Sequence, residues 1–115
     1  MIQLTPSTRI FLACGMTDMR TRFDGLAVLV QQALQQSPHS GALFAFRGQR
    51  GDLVKMLWYD GQGLCLFSKR MDRGRFVWPS TATGSVAMTA AQLSMLLEGI
   101  DWLRPKRTFV PSLAG

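Results

Sequence analysis

The amino-acid sequence predicts an α+β domain in which an antiparallel β-meander is flanked by two helices. A chain of 115 residues, 47% hydrophobic and 17% charged, is suited to one globular core. Apolar residues recur at helical spacing in two segments of the chain. Between these segments lie short apolar runs separated by glycine-containing turns, a pattern typical of antiparallel strands.

The first third of the chain predicts a strand followed by a helix. Residues 9–14 form an apolar run that Gly15 ends, and residues 16–23 form an Arg-rich loop. Asp24 is the predicted N-cap of a helix that continues to about Gln36. Five apolar residues define its inner face by their spacing: Leu26, Leu29, Val30, Ala33 and Leu34.

The middle of the chain predicts the meander. Its expected strands are residues 42–47, 53–59, 64–68 and 75–78. The adjacent apolar residues Leu43 and Phe44 indicate a strand that is buried on both faces. Residues 60–63 (Asp-Gly-Gln-Gly) are a strong hairpin signal, because glycine readily adopts the positive φ that tight turns require.

A short strand and a second helix are expected to complete the domain. The strand covers residues 86–88, and Thr89 is the predicted cap of a helix that Gly99 ends. We expect a single domain over residues 1–103 and a flexible basic tail over residues 104–115, which contains two prolines and lacks periodicity.

The charge of the chain indicates an anionic partner. Lys and Arg total 13 against 7 acidic residues, the net charge is +6, and ten of the cations are Arg. The planar guanidinium group is suited to binding phosphate. Loops at one end of a meander can form one basic surface, so we predict nucleic-acid contacts from Arg20, Arg22, Arg47, Arg50, Lys69, Arg70, Arg73 and Arg75, with Trp78 available to stack on a base.

The same residues have structural interpretations. Arg20 and Arg22 can form ion pairs with Asp18 and Asp24 instead of binding phosphate. Trp58 is expected to lie in the core rather than on the surface, because it follows the buried pattern of its strand.

The sequence gives little support for a catalytic site. The carboxylates of Asp18, Asp60 and Glu98 have the order of a two-metal triad, but the last two are expected in a turn and at a helix end, whereas two-metal chemistry needs rigid supports. Cys14 and Cys65 lack neighbouring ligands at metal-binding spacing. Residues 48–51 (GQRG) lack the Gly-Lys-Ser/Thr ending of a phosphate loop. We therefore expect a non-enzymatic protein with no cofactor, metal or small-molecule substrate.

No segment has the length and apolar character of a signal peptide or a membrane span. The short apolar stretch near the N-terminus is preceded by Arg9 and is soon followed by Thr17 and Asp18. The sequence therefore predicts a cytoplasmic protein without membrane contact.

Five segments carry a family resemblance. They are LACGMTDMRTRFDGL (12–26), GALFAFRG (41–48), KMLWYDGQG (55–63), KRMDRGRFVWP (69–79) and LLEGIDW (96–102). In this order they resemble the TnpB-type accessory proteins of insertion sequences of the insertion-sequence 66 group, which are distinct from the RNA-guided nuclease also called TnpB. The resemblance covers about residues 9–103. Met71-Asp72 stands where the family usually has Leu-Glu, a change that keeps apolar and acidic character.

The resemblance implies a helper in bacterial DNA transposition. Such proteins are encoded beside a larger transposase, which carries the catalytic acids, and a second small protein. Both are therefore expected partners, together with DNA at the element ends. The alternative is an adaptor that binds these proteins without touching DNA, motivated by the short C-terminal helix, residues 99–102 and the apolar Phe109 and Val110. RNA binding, sequence preference and oligomeric state stay open.

Overall fold

The computed structural model describes residues 4–104, which form a five-stranded mixed sheet and two helices. The elements in chain order are β1 (Ile10–Met16), α1 (Phe23–Gln32), β2 (Leu43–Arg47), β3 (Leu53–Tyr59), β4 (Leu64–Arg70), β5 (Ser85–Met88) and α2 (Ala90–Leu97). The predicted α+β class is confirmed. The predicted tail lies outside the described residues except for Arg104.

The sheet has the order β4-β3-β2-β1-β5, and only β2, β3 and β4 form a continuous meander. β1 pairs with β2 in parallel, and β5 pairs antiparallel with the other side of β1. A parallel pair cannot be joined by a tight turn, so the chain must cross one face of the sheet between these strands. Helix α1 makes this crossing, which the sequence pattern did not predict.

β2 is the central strand, and its residues alternate between two cores. Phe44 and Phe46 face α1, where they pack with Leu26 and Val30. Leu43 belongs to the core on the opposite face. The prediction that β2 is buried on both sides is therefore confirmed.

The second core lies between the sheet and α2. Leu93 and Leu96 of α2 are fully buried there, together with Phe76 and Trp102. Trp58 is 9% exposed and belongs to this core, which confirms its predicted structural role. The two helices therefore cover opposite faces of the sheet.

The first helix differs from its predicted bounds at both ends. Arg22 occupies the N-cap position without a side-chain cap, and Asp24 lies in the first turn, so the predicted Asp24 cap is wrong. The helix ends at Gln32 rather than near Gln36. Gln35 adopts a φ of 53°, a left-handed conformation that is incompatible with a continuing α-helix.

The second helix has the predicted cap. The hydroxyl of Thr89 accepts a hydrogen bond from the Gln92 amide at 3.1 Å, and the Gln92 side chain accepts one from the Thr89 amide at 2.9 Å. This reciprocal pair is a capping box. Gly99, with φ of 76°, follows the C-cap as predicted.

Residues 75–78 are not the predicted strand. The Phe76 amide and the Trp78 indole Nε1 both donate to the Gly51 carbonyl, each at 3.0 Å. The carbonyl of Val77 accepts from the Trp102 indole at 2.8 Å. These donors and acceptors are used in irregular tertiary hydrogen bonds, so the segment packs against the sheet without joining its ladder.

Candidate nucleic-acid interface

The strand directions bring three loops to one end of the sheet. β1 and β2 are parallel and both finish there, while β3 and β5 begin there and β4 finishes there. The loops of residues 17–22, 48–52 and 71–84 therefore share this end, which we call the basic end. It comprises these loops together with Arg47 and Arg70, the last residues of β2 and β4.

The basic end contains seven arginines and three acidic residues. The arginines are Arg20, Arg22, Arg47, Arg50, Arg70, Arg73 and Arg75, and the acids are Asp18, Asp52 and Asp72. Eight cations were predicted to bind nucleic acid, and the fold gathers all of them except Lys69 into these loops and strand ends. The excess of positive charge makes this end an electrostatic target for anions.

Backbone hydrogen bonds hold the three loops together. The Thr17 amide donates to the Arg47 carbonyl at 2.9 Å, and the Met71 amide donates to the Asp52 carbonyl at 2.8 Å. The Lys55 ammonium group donates to the Thr21 carbonyl at 3.0 Å. These long-range contacts fix the relative positions of the loop backbones that carry the arginines, which lowers the entropy cost of binding.

Two of the clefts at the basic end are lined by arginines. The first has a volume of about 580 Å³. It is lined by Arg20 and Arg50 from two of the loops, by Arg70 from the end of β4, and by the carboxylates Asp18 and Asp52. The second has a volume of about 450 Å³ and is lined by Arg47 and Arg75 together with an apolar wall. That wall includes Met16, Phe76, Trp78, Pro79 and Ala82.

Sequence reasoning placed Met16 and Gly51 in the loops of this region but did not foresee the role of either residue. Met16 lines both clefts and is 65% exposed, although it ends a strand whose other apolar residues are largely covered. The Gly51 carbonyl is the common acceptor that anchors Phe76 and Trp78. No periodic pattern marks either residue, because both roles depend on the loop at residues 71–84 folding back over the sheet.

Two of the arginines are paired with acids. Arg20 forms an ion pair with Asp18 at 2.7 Å, and Arg50 forms one with Asp52 at 3.1 Å. The hydrogen bonds from Arg20 lower the pKa of Asp18 to about 2 and raise the pKa of Arg20. Of the two ion pairs considered from sequence, Arg20–Asp18 is therefore present, whereas Arg22 forms none within residues 4–104.

Four arginines have exposed side chains without an internal partner in the described structure. In the described part of the chain, the side chains of Arg22, Arg70, Arg73 and Arg75 make no ion pair or hydrogen bond. Exposed guanidinium groups that lack an internal partner are available to an external anion.

Arg47 and Lys69 are half-buried and have internal contacts. The guanidinium carbon of Arg47 lies 5.5 Å from the centre of the Trp78 ring, a cation–π arrangement. Its Nη1 donates to the Pro79 carbonyl at 3.5 Å, while its Nε is buried without a partner among the described residues. The Lys69 ammonium group donates to the Leu97 carbonyl at the end of α2, at 2.6 Å.

The carboxylates considered as a triad do not come together. Asp18 follows β1 at the basic end, whereas Asp60 lies in the turn between β3 and β4 at the opposite end of the sheet. The Oδ1 of Asp60 accepts hydrogen bonds from the Gln62 and Gly63 amides, which lower the pKa of Asp60 and stabilise the turn. Glu98 occupies the C-cap of α2.

The remaining reactive side chains are also dispersed. Cys14 is buried on β1, and Cys65 lies on β4 near the opposite end; burial raises the pKa of both thiols. The His39 ring packs edge-on against Tyr59, with 5.0 Å between the ring centres. Within residues 4–104, no group of three potential metal ligands is clustered.

The helices in the described segment are short. None of them has the length and apolar character needed to cross a membrane. The longer one, α1, has ten residues.

Fold and surface together define a small α+β protein with a preformed, Arg-rich surface at one end of its sheet. Residues 8–107 match the family described as IS66 Orf2 like protein, and the chain belongs to that family. This membership links the chain to an accessory role in insertion-sequence transposition, as the resemblance of its five segments implied.

Two relatives come from Sinorhizobium fredii (strain NBRC 101917 / NGR234). The uncharacterized protein y4hO is 53% identical over 109 residues, which cover 95% of each chain. The uncharacterized protein y4jC is 36% identical over 107 residues, which cover 93% of this chain and 92% of the relative. No solved structure matches this chain.

Proposed function

We propose that this protein is a non-catalytic accessory factor that binds DNA at the ends of its element through the basic end and assists a separate transposase. The observation that carries the proposal is the convergence of seven arginines from loops separated in sequence. Four of them have exposed side chains without partners in the described structure. We propose that the protein is located in the cytoplasm, because a bacterial transposase and its DNA substrate meet there.

The surface is suited to the DNA backbone rather than to a base sequence. Arginine side chains on loops can contact phosphates on either side of a groove, and such contacts carry little sequence information. Each neutralised phosphate releases counterions, which contributes about 0.9 to the log–log slope of affinity against salt. We therefore expect strong salt dependence and weak discrimination between end-derived and scrambled duplexes.

The lack of catalysis is part of the proposal. Its support is the separation of Asp18 and Asp60 to opposite ends of the sheet, far from the ~4 Å arrangement that two metal ions would require. Strand cleavage and joining would then be performed by the transposase.

Fluorescence anisotropy with labelled duplexes at about 50 and 200 mM salt tests DNA binding directly. Arg70→Glu and Arg73→Glu should each weaken binding and flatten the salt dependence. Arg9→Glu is the matched control, because Arg9 precedes β1 at the opposite end of the sheet and carries the same charge. Salt-insensitive binding, or equal losses in all three variants, would contradict the proposal.

A second function is an adaptor that binds the transposase or the other small element-encoded protein without DNA. The observation that favours it is the exposure of Ile100 and Leu103, at 47% and 43%, beside the buried Trp102. Phe109 and Val110, which also motivated this alternative, lie outside the described residues. A patch of exposed apolar side chains is a feature of protein interfaces.

Pull-down of purified transposase after nuclease treatment separates the two functions. Ile100→Ser should abolish capture if the adaptor alternative holds. Val28→Ser on α1 is its control, since Val28 is similarly exposed at 43%. Capture that disappears with nuclease treatment would favour the DNA-binding function instead.

A further inference from the structure

The second cleft combines two chemistries that a DNA backbone alone does not require. Arg47 and Arg75 contribute positive charge, while Phe76, Pro79 and Met16 contribute an apolar wall. Its volume of about 450 Å³ falls within the range of sites for small ligands, roughly 300–1,000 Å³. A continuous duplex presents phosphates on its surface but keeps its bases stacked inside, so it would leave such a wall without a partner.

The guanidinium group of Arg47 lines this cleft, and not all of its hydrogen-bond donors have partners in the described structure. Its Nε is buried and lacks a partner in the described structure, and its contact with the Pro79 carbonyl is long at 3.5 Å. A buried donor without an acceptor is costly, and an ion or an ordered water is one of the groups that can complete it. An anionic oxygen in the cleft would bond this donor only after a small movement of the side chain, because the Nε is covered in the described structure.

Trp78 fixes the position of this guanidinium. Its indole Nε1 is bonded to the Gly51 carbonyl at 3.0 Å, and the edge of its ring system meets Phe76 with the ring centres 5.8 Å apart. Arg47 already lies over the ring. Trp78 is therefore a positioning residue for Arg47 rather than a free platform for a base.

We propose that the second cleft is a site for one unpaired nucleotide of DNA. Arg47 and Arg75 bind its phosphate, and the apolar wall covers its base. The inference rests on the proposed function and extends it, because it makes single-stranded or frayed element ends the preferred substrate. The first cleft, lined by Arg20, Arg50 and Arg70, would contact the adjoining duplex.

The experiment compares two labelled DNAs that contain the same duplex sequence. One has blunt ends, and the other carries a short single-stranded extension, which is tested on each strand in turn. The intact protein should bind the extended DNA roughly tenfold more tightly, which is the order of affinity that covering one base with apolar side chains contributes. Arg75→Gln should remove most of this preference. Arg73→Gln is the matched control, because Arg73 is exposed in the same loop but does not line the cleft.

Arg47→Lys and Trp78→Phe test the positioning role. Both should lower the ratio of extended-DNA affinity to blunt-duplex affinity, while the blunt-duplex affinity itself changes much less. If Arg75→Gln and Arg73→Gln lower both affinities equally, the cleft is not a nucleotide site.

The outcomes also separate this inference from the proposed function. Salt-dependent binding of the blunt duplex without any preference for the extended DNA overturns the nucleotide site and leaves the DNA-binding function standing. Failure to bind either DNA at low salt overturns both.

Discussion

The Lys69 ammonium group donates a hydrogen bond to the Leu97 carbonyl, so a cation predicted to bind phosphate is bonded to the C-terminal end of α2. The last carbonyls of a helix lack partners within the helix and carry partial negative charge. Lys69 satisfies one of them from the neighbouring strand β4. This contact ties α2 to the edge of the sheet, and we therefore assign Lys69 no phosphate in the proposed complex.

Replacing Lys69 with Met should lower the free energy of unfolding by about 1 to 2 kcal/mol, because a charged hydrogen bond and a favourable helix-end charge are lost. Urea denaturation measures the change. Arg70→Gln, at an exposed neighbour, should stay within about 0.5 kcal/mol of the unmodified protein. The effects on DNA affinity should be reversed, so that Arg70→Gln binds DNA more weakly than Lys69→Met does.

The ion pair between Arg20 and Asp18 predicts a pH dependence. Its hydrogen bonds lower the pKa of Asp18 from 3.8 to about 2, so folding favours the charged carboxylate. The resulting stabilisation is present above pH 4 and is lost as the pH falls from about 4 to about 2. Titration of the Asp18 carboxyl carbon by NMR should show the low midpoint, and Arg20→Gln should raise it toward the ordinary value.

Removing the acids at the basic end should strengthen DNA binding. Asp18→Asn and Asp52→Asn each release an arginine that the structure pairs internally. Each variant should bind more tightly and should steepen the log–log salt slope by up to about 0.9, one additional phosphate contact. Asp60→Asn, in the turn at the opposite end, is the control. An equal gain in all three variants would show that net charge alone is responsible.

Gly51 should be intolerant of a side chain. Its φ of 80° is unfavourable for other residues, and an added Cβ would lie 3.3 Å from Arg75 Cδ and 3.4 Å from Trp78 Nε1. Gly51→Ala should cost about 1 kcal/mol or more through the backbone alone. Gly61→Ala shares the positive φ, at 101°, but has open space around the new atom. Thermal unfolding should therefore show the larger loss for Gly51→Ala.

The capping box of α2 gives a further stability prediction. Thr89→Ala removes the hydroxyl that accepts from the Gln92 amide and should cost about 1 kcal/mol. Thr81→Ala, in the exposed loop before β5, should be close to neutral. Because Thr89 lies at the opposite end of β5 from the basic end, DNA affinity should not change in Thr89→Ala. Chemical denaturation and anisotropy on the same samples provide both readouts.

Features that depend on short-range chemistry were predictable from sequence. The cap at Thr89, the turn at residues 60–63 and the end of α2 at Gly99 follow from local hydrogen bonding and backbone freedom. The burial of β2 on both faces followed from the adjacent apolar residues Leu43 and Phe44. Each of these signals lies within a few residues of the feature that it specifies.

The set of candidate arginines was also available from sequence, but their grouping was not. Arg20 and Arg70 are fifty positions apart, yet they line one cleft, while Arg47 and Arg75 line another. Which arginines are paired with acids, and which are free, depends on loop geometry that no spacing rule encodes.

The sequence by itself determined the α+β class, the positions of most helices and strands, and the cationic character of the chain, since these depend on composition and local periodicity. Only the tertiary structure decided that β1 lies parallel to β2, that β5 pairs with β1, and that residues 75–78 bind the Gly51 carbonyl instead of forming a strand. The physical reason is that strand partners and loop contacts are chosen by burying both faces of the sheet together. That choice is made by residues far apart in the chain.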